Sequence, residues 1–258
     1  MREDQSRPDQ SRNLSFPEAL ERTAVRSKGV RAYWYTERIN RPAARIVAAI
    51  LATWNVSPNA VTWTSFALTF AGLAIAASVG YSVIAATGAY LLLVCAYVLD
   101  SADGQLARIL DRSSLRGEWL DHVLDHAKHV LFHGALLVGV LTVDTPQVDT
   151  RAFVMLVVVA ATAHTTAYTA FVLFEQVQRQ LGAAARKRSR DRSLGPIVFF
   201  AYDWGILILL VLLLPFTALF TLVYAGVAVY LVGVAFAKGG RMYVALSAPW
   251  GSGNGDRA

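Results

Sequence analysis

Residues 100–125 read Asp-Ser-Ala-Asp-Gly-Gln-Leu-Ala-Arg-Ile-Leu-Asp-Arg-Ser-Ser-Leu-Arg-Gly-Glu-Trp-Leu-Asp-His-Val-Leu-Asp. The apolar run Ala89–Leu99 leads into this stretch and another begins at Val130, so four aspartates border segments suited to a bilayer. One Asp at a bilayer centre costs about 2.5–3.5 kcal/mol, and less near the interface, so four carboxylates need a cause. Helical geometry supplies one. Asp100 and Asp103 are three residues apart on one helix, and Asp121 and Asp125 four apart on the next, so each pair shares a face. Two such faces turned together make an all-oxygen cage for a hard divalent cation.

The surrounding chain is that of a membrane protein. It has 258 residues, 55% hydrophobic and 16% charged, with a mean hydropathy of +0.42. Its apolar residues gather in runs long enough to cross a bilayer. The formal charge of +6 would suit nucleic acid, but the basic residues stand beside apolar runs, which points to topology and lipid headgroups instead. The single cysteine, Cys95, excludes an intramolecular disulfide and reads as a packed small residue.

Taken in order, residues 1–30 are polar and predict a largely disordered segment, with a short surface helix over 16–30. Over 31–56, Arg38, Arg41 and Arg45 recur at helical spacing opposite Ile46, Val47, Ile50 and Leu51. That pattern predicts an amphipathic helix lying in the membrane interface, or packed on the bundle, or both. Six spanning helices are then expected within 57–240, at about 60–79, 83–101, 117–143, 152–176, 196–214 and 216–237, followed by a loose tail over 241–258. The basic residues fall in alternate connections: Arg31, Arg38, Arg41 and Arg45; Arg108, Arg112 and Arg116; Arg179 and Arg186–Arg192; Lys238 and Arg241. The positive-inside rule puts all of these, both termini and the aspartates on the cytoplasmic side.

The central stretch fits Asp-x2-Asp-Gly-x2-Ala-Arg-x8-Gly-x3-Asp-x3-Asp at Asp100, Asp103, Gly104, Ala107, Arg108, Gly117, Asp121 and Asp125. It closely resembles the signature of the CDP-alcohol phosphotransferase family, which is six-helix, membrane-embedded and metal-dependent. A second point of likeness is Ser57-Pro58-Asn59-Ala60-Val61-Thr62, similar to the element that opens the family's first span. The resemblance implies transfer of a substituted phosphate from a CDP-alcohol, first of all CDP-diacylglycerol, to an alcohol in phospholipid synthesis, with release of CMP. It implies Asp100, Asp103, Asp121 and Asp125 as ligands of two ions, Mg²⁺ or Mn²⁺, with Asp125 also the catalytic base. The donor would contact Gly104, Ala107, Arg108 and Gly117, with Ser114 in the loop and Asn59 and Thr62 near the nucleotide. A homodimer is implied as well. The residue types suit such chemistry: carboxylates bind the ions that neutralise a pyrophosphate, one carboxylate deprotonates an alcohol, and Arg108 can grip phosphate as a fork.

Two alternatives compete. One is a soluble CDP-polyol donor such as CDP-inositol, to which Asn40-Arg41-Pro42 gives slight support. The other is a non-enzymatic transporter or scaffold, which would not need all four aspartates. Arg186, Arg190 and Arg192 either set topology or hold a phosphate on the acceptor. His122, His126, His129 and His133 form a stripe expected to line the polar interior or touch substrate, because ligands strung along one helix cannot converge on one ion alone. His164 reads as a hydrogen-bonded core residue, and Glu175 and Asp203 as partners for arginines. Trp34, Trp54, Trp63, Tyr202 and Trp204 fit interfacial belts.

Overall fold

A computed structural model describes residues 14–25, 33–79, 82–142, 149–181 and 202–246. Every regular element among them is helical: α1 (Phe16–Val25), a π-turn (Thr36–Asn40) running into α2 (Arg41–Thr53), α3 (Pro58–Val79), α4 (Val83–Ile109), α5 (Leu115–Thr142), α6 (Thr150–Leu181), a short α7 (Trp204–Leu207) continued by 3₁₀ turns (Ile208–Leu213), and α8 (Thr217–Leu246). Four of these, α3, α4, α6 and α8, are long and apolar enough to cross a membrane. They turn large side chains outward: Phe70 is 57% exposed, Val229 73% and Phe236 78%. Lipid is the solvent such a surface fits.

α5 differs in composition rather than length. At 28 residues it extends about 42 Å, more than the ~30 Å hydrocarbon core. Glu118, Asp121, Asp125, Lys128 and four histidines lower its hydropathy. The helix packs between α3 and α6, which lets part of its polar face turn inward. The expected fifth span, 196–214, lies partly outside the described residues, and its described part is α7 and the 3₁₀ turns.

Two apolar cores hold the helices. The larger joins α3 to α8 through residues such as Leu93, Phe132, Phe153, Leu207 and Tyr224. The smaller packs the alanine face of α2 (Ala44, Ala48, Ala49, Ala52) and Ala19 of α1 on Ala102, Leu106 and Ile109 of α4. Small side chains let α2 lie close to α4, while Ile46 and Ile50 remain exposed on its other side. Along α4, Asp100 and Asp103 fall between Leu93 of the first core and Leu106 of the second. The aspartates therefore sit at the seam between two packed blocks.

Asp203 fastens the first block to the second, which corrects its expected pairing with arginine. It is fully buried. Its carboxylate accepts hydrogen bonds from Thr36 N–H at 2.9 Å, Thr36 Oγ1 at 2.8 Å, Tyr97 Oη at 3.3 Å and Gly205 N–H at 3.2 Å. The last caps α7. Asp203→Ala strands these buried donors and is expected to cost on the order of 3 kcal/mol or more. A lowered melting temperature in detergent checks this, with Asp203→Asn falling between variant and wild type; unchanged melting would remove Asp203 as a fastener.

Further differences follow from which way side chains face. Cys95 is exposed on the outer side of α4, not packed inside. Trp34, Trp54 and Trp63 are exposed as belt residues should be, but Tyr202 is buried and Trp204 packs edge-on against Phe132 and His129. His164 is a hydrogen-bonded core residue as expected, its Nδ1 lying 3.1 Å from His133 Nε2.

Candidate active site

The site is built on the elbow between α4 and α5. α4 ends at Ile109, and the chain turns through Asp111, whose φ of 56° is left-handed. Aspartate tolerates that conformation, and the turn is closed by Arg112 N–H on Ala107 O at 2.8 Å. Ser114 then starts α5, its Oγ accepting from Gly117 N–H at 3.1 Å. Both helix ends are thus capped across a connection of a few residues, so the two aspartate-bearing faces are held together.

Carboxylate oxygens of Asp100, Asp103 and Asp121 lie within 4.8 Å of one another. Asp103 is buried. Its Oδ2 accepts from Thr62 Oγ1 at 2.5 Å, and its Oδ1 accepts from Gly104 N–H. Asp125 stands beside this trio and is joined to it through Lys128. The lysine's Nζ reaches Asp100 Oδ1 and, at 3.1 Å, Asp125 Oδ1. Asp125 Oδ2 accepts from Tyr168 Oη of α6 at 3.3 Å. Four acids gathered around one buried ammonium repel one another, and the trio offers the all-oxygen donor set of a hard divalent cation. Such an ion can be held by Asp100, Asp103 and Asp121.

The remaining motif residues surround this cluster. A Cβ added at Gly104 would meet only Arg108 Nη1, at 3.6 Å, so space above Gly104 is open toward the Arg108 fork. Arg108 also lies within electrostatic reach of Asp103 and Arg41. Gly117 abuts Asn59, whose Oδ1 would lie 3.5 Å from an added Cβ. The α3 element carrying Asn59 and Thr62 thus meets both halves of the motif. Ala107 is on the same helix, half-buried. Arg186, Arg190 and Arg192 lie outside the described residues.

Lys128 and Tyr168 escaped the sequence reading. Lys128 carries a signal in retrospect, standing three residues after Asp125 and seven after Asp121 on one helical face. Tyr168, on another helix, carries none. The histidines spread rather than converge. His122 meets Tyr168 Oη at 3.3 Å and His126 meets Thr169 at 3.2 Å. His133 is fully buried against Tyr224 at 2.7 Å. His129, alone of the four, lines the cavity beside the aspartates.

That cavity, about 170 Å³, is bordered by Asp100, Asp125, Lys128, Tyr168 and, from α8, Lys238. A second groove of about 440 Å³ runs between α5 and α6, with Leu115, Trp119, Val123 and Val172 along it beside Glu118, His122 and Arg179, and shares Tyr168 with the first. The first borders the acidic cluster directly, and the second reaches it only through Tyr168. The family model described as CDP-alcohol phosphatidyltransferase matches residues 55–238, which spans the cluster, the second groove and all of the first cavity's lining but Tyr33. No curated protein matches the chain.

Proposed function

The chain belongs to the CDP-alcohol phosphatidyltransferase family, whose reaction moves a phosphate-linked group from a CDP-alcohol to a second alcohol, and on that premise we propose that its donor is CDP-diacylglycerol and that Asp125 is the base. The observation that carries this reading is the carboxylate trio with Asp125 held beside it by Lys128 and Tyr168 at a cavity. The acceptor O–H gives its proton to Asp125, its oxygen forms a bond to the phosphorus bearing the lipid alcohol, and the pyrophosphate P–O bond breaks to release CMP. Asp100, Asp103 and Asp121 would hold divalent ions, Mg²⁺ or Mn²⁺ by their oxygen ligands, which would supply charge neutralisation at the pyrophosphate. Lys128 and Tyr168 are positioning residues that aim the Asp125 carboxylate. Arg108, with Gly104 and Ala107 leaving room beside it, binds donor phosphate, while Asn59, Thr62, Ser114 and Gly117 border the nucleotide.

A lipid donor is supported by the groove between α5 and α6, where Leu115, Trp119, Val123 and Val172 offer an acyl chain an apolar strip and Glu118, His122 and Arg179 form a polar margin beside it. The same reading places α3, α4, α5, α6, the 196–214 segment and α8 across the membrane. α2 lies in the interface, the basic connections and both termini are cytoplasmic, and the chain works as a homodimer.

The test is CMP release by purified protein in detergent with Mg²⁺ or Mn²⁺, offering CDP-diacylglycerol and CDP-inositol in parallel against a panel of alcohols. CMP from the lipid donor alone supports the reading. CMP from CDP-inositol alone would replace it with a soluble polyol donor, and release of none would leave a non-catalytic member of the family.

A further inference from the structure

We propose that the acceptor alcohol carries an anionic group, a phosphate or a carboxylate, and that Lys238 of α8 selects it. The inference rests on the transferase reading and adds the class of acceptor. The cavity beside Asp125 is small, about 170 Å³, against roughly 300–1,000 Å³ for pockets enclosing drug-sized ligands. It fits a compact alcohol rather than a nucleotide. Its charged lining comes in two groups. One is the Asp100–Lys128–Asp125 cluster, where the acceptor hydroxyl must stand if Asp125 is the base.

The second group is centred on Lys238, only 8% exposed. Its ammonium donates to Tyr33 Oη at 2.7 Å and lies over the Tyr202 ring at 3.8 Å, with the faces of Tyr33 at 5.3 Å and Phe171 at 5.5 Å. Burying an ammonium in a membrane bundle is costly, and the ring faces and the Tyr33 hydroxyl lower that cost while leaving a positive charge at this end of the cavity. Tyr202 supplies an independent observation. It is 5% exposed, borders the cavity, and its hydroxyl has no hydrogen-bond partner among the described residues. A buried hydroxyl in that state calls for a ligand that completes it.

The arrangement discriminates among acceptors by charge. Three aromatic faces around one point could form a box for a quaternary or primary ammonium, but Lys238 already fills it. A cationic amino alcohol would therefore meet Lys238 and Lys128 as like charges in a low-dielectric pocket. A neutral polyol would gain only ordinary hydrogen bonds. A phosphate or carboxylate would gain charge-assisted bonds from Lys238 and a donor in Tyr202, with its hydroxyl left to face Asp125.

The experiment uses the full chain in nanodiscs with four small acceptors: glycerol phosphate, glycerate, glycerol and ethanolamine. Their binding is measured by calorimetry, and CMP release is followed separately with CDP-diacylglycerol. At least one anionic acceptor is expected to bind, and to react, about tenfold or more better than glycerol and ethanolamine, and the comparison of the two anions separates phosphate from carboxylate. Lys238→Met should raise the KM and Kd for that anion by about tenfold or more, with KM rather than kcat carrying the loss. Lys238→Arg should restore most of it, and retained donor binding shows that the variants are folded. Equal or better use of glycerol or ethanolamine, failure of both anions to bind, or an unchanged Kd in Lys238→Met would overturn the proposal. Lys238-dependent anion binding without CMP from any donor would sustain the anion site while sinking the transferase reading.

Discussion

Asp125→Asn is expected to lower CMP release by about a thousandfold or more while leaving most donor affinity in place. The carboxylate is the one member of the acidic group that stands outside the close trio. One of its oxygens is held by Lys128 and the other by Tyr168. That fixes its orientation toward the cavity, as a base that must meet an O–H at hydrogen-bond distance requires. Asparagine keeps the shape and one acceptor oxygen but cannot take the proton. Donor affinity measured with CDP-diacylglycerol in Mg²⁺ should therefore change far less than turnover. Turnover near the wild-type value would transfer the base to another group, and equal losses in affinity and turnover would recast Asp125 as a ligand alone.

Lys128→Met should destabilise the protein strongly when divalent ions are chelated, and much less when they are supplied. Lys128 is buried between Asp100 and Asp125. Removing one partner of a buried ion pair typically costs about 3–5 kcal/mol, because the charges left behind are uncompensated. In a protein of this size that corresponds to a fall of the order of 10 °C in melting temperature. A divalent cation bound by Asp100, Asp103 and Asp121 returns positive charge to the same cluster, so Mg²⁺ should recover a larger interval of melting temperature in the variant than in wild type. Melting in EDTA and in Mg²⁺ for both proteins is the measurement. Equal loss under the two conditions would mean that Lys128 packs the core without balancing the acids.

Much of this was legible in residues 100–125, and the reason is local. Asp100 and Asp103 share one helical face, Asp121 and Asp125 another, and helical periodicity alone brings each pair together. The family match over 55–238 agrees with the resemblance carried by those positions. What escaped notice depends on contacts between distant elements. Tyr168 reaches Asp125 across 43 residues, and Asp203 reaches Thr36 across 167, separations at which no spacing rule operates. Asp203 read as an arginine partner because it borders an apolar run, yet packing buried it where backbone and hydroxyl donors were nearer. Tyr202 and Trp204 read as belt residues for the same reason. The segment holding them turns inward against α4 and α8.

The capped elbow between α4 and α5 has a bearing on how such a site can vary. An α-helix advances by about 100° per residue. With the capped turn holding the two helix ends, the direction of Asp121 and Asp125 is set by the number of residues between the start of α5 and each of them, and that of Asp100 and Asp103 by their distance from the end of α4. One residue more or less within α5 before Asp121 would swing that carboxylate pair by about a quarter of a turn, away from Asp100 and Asp103. The acidic cage is thus a matter of gearing: its side chains mesh only at one tooth count. Variation in substrate has to come from the walls, such as α6 and α8, and not from the hinge that meshes them.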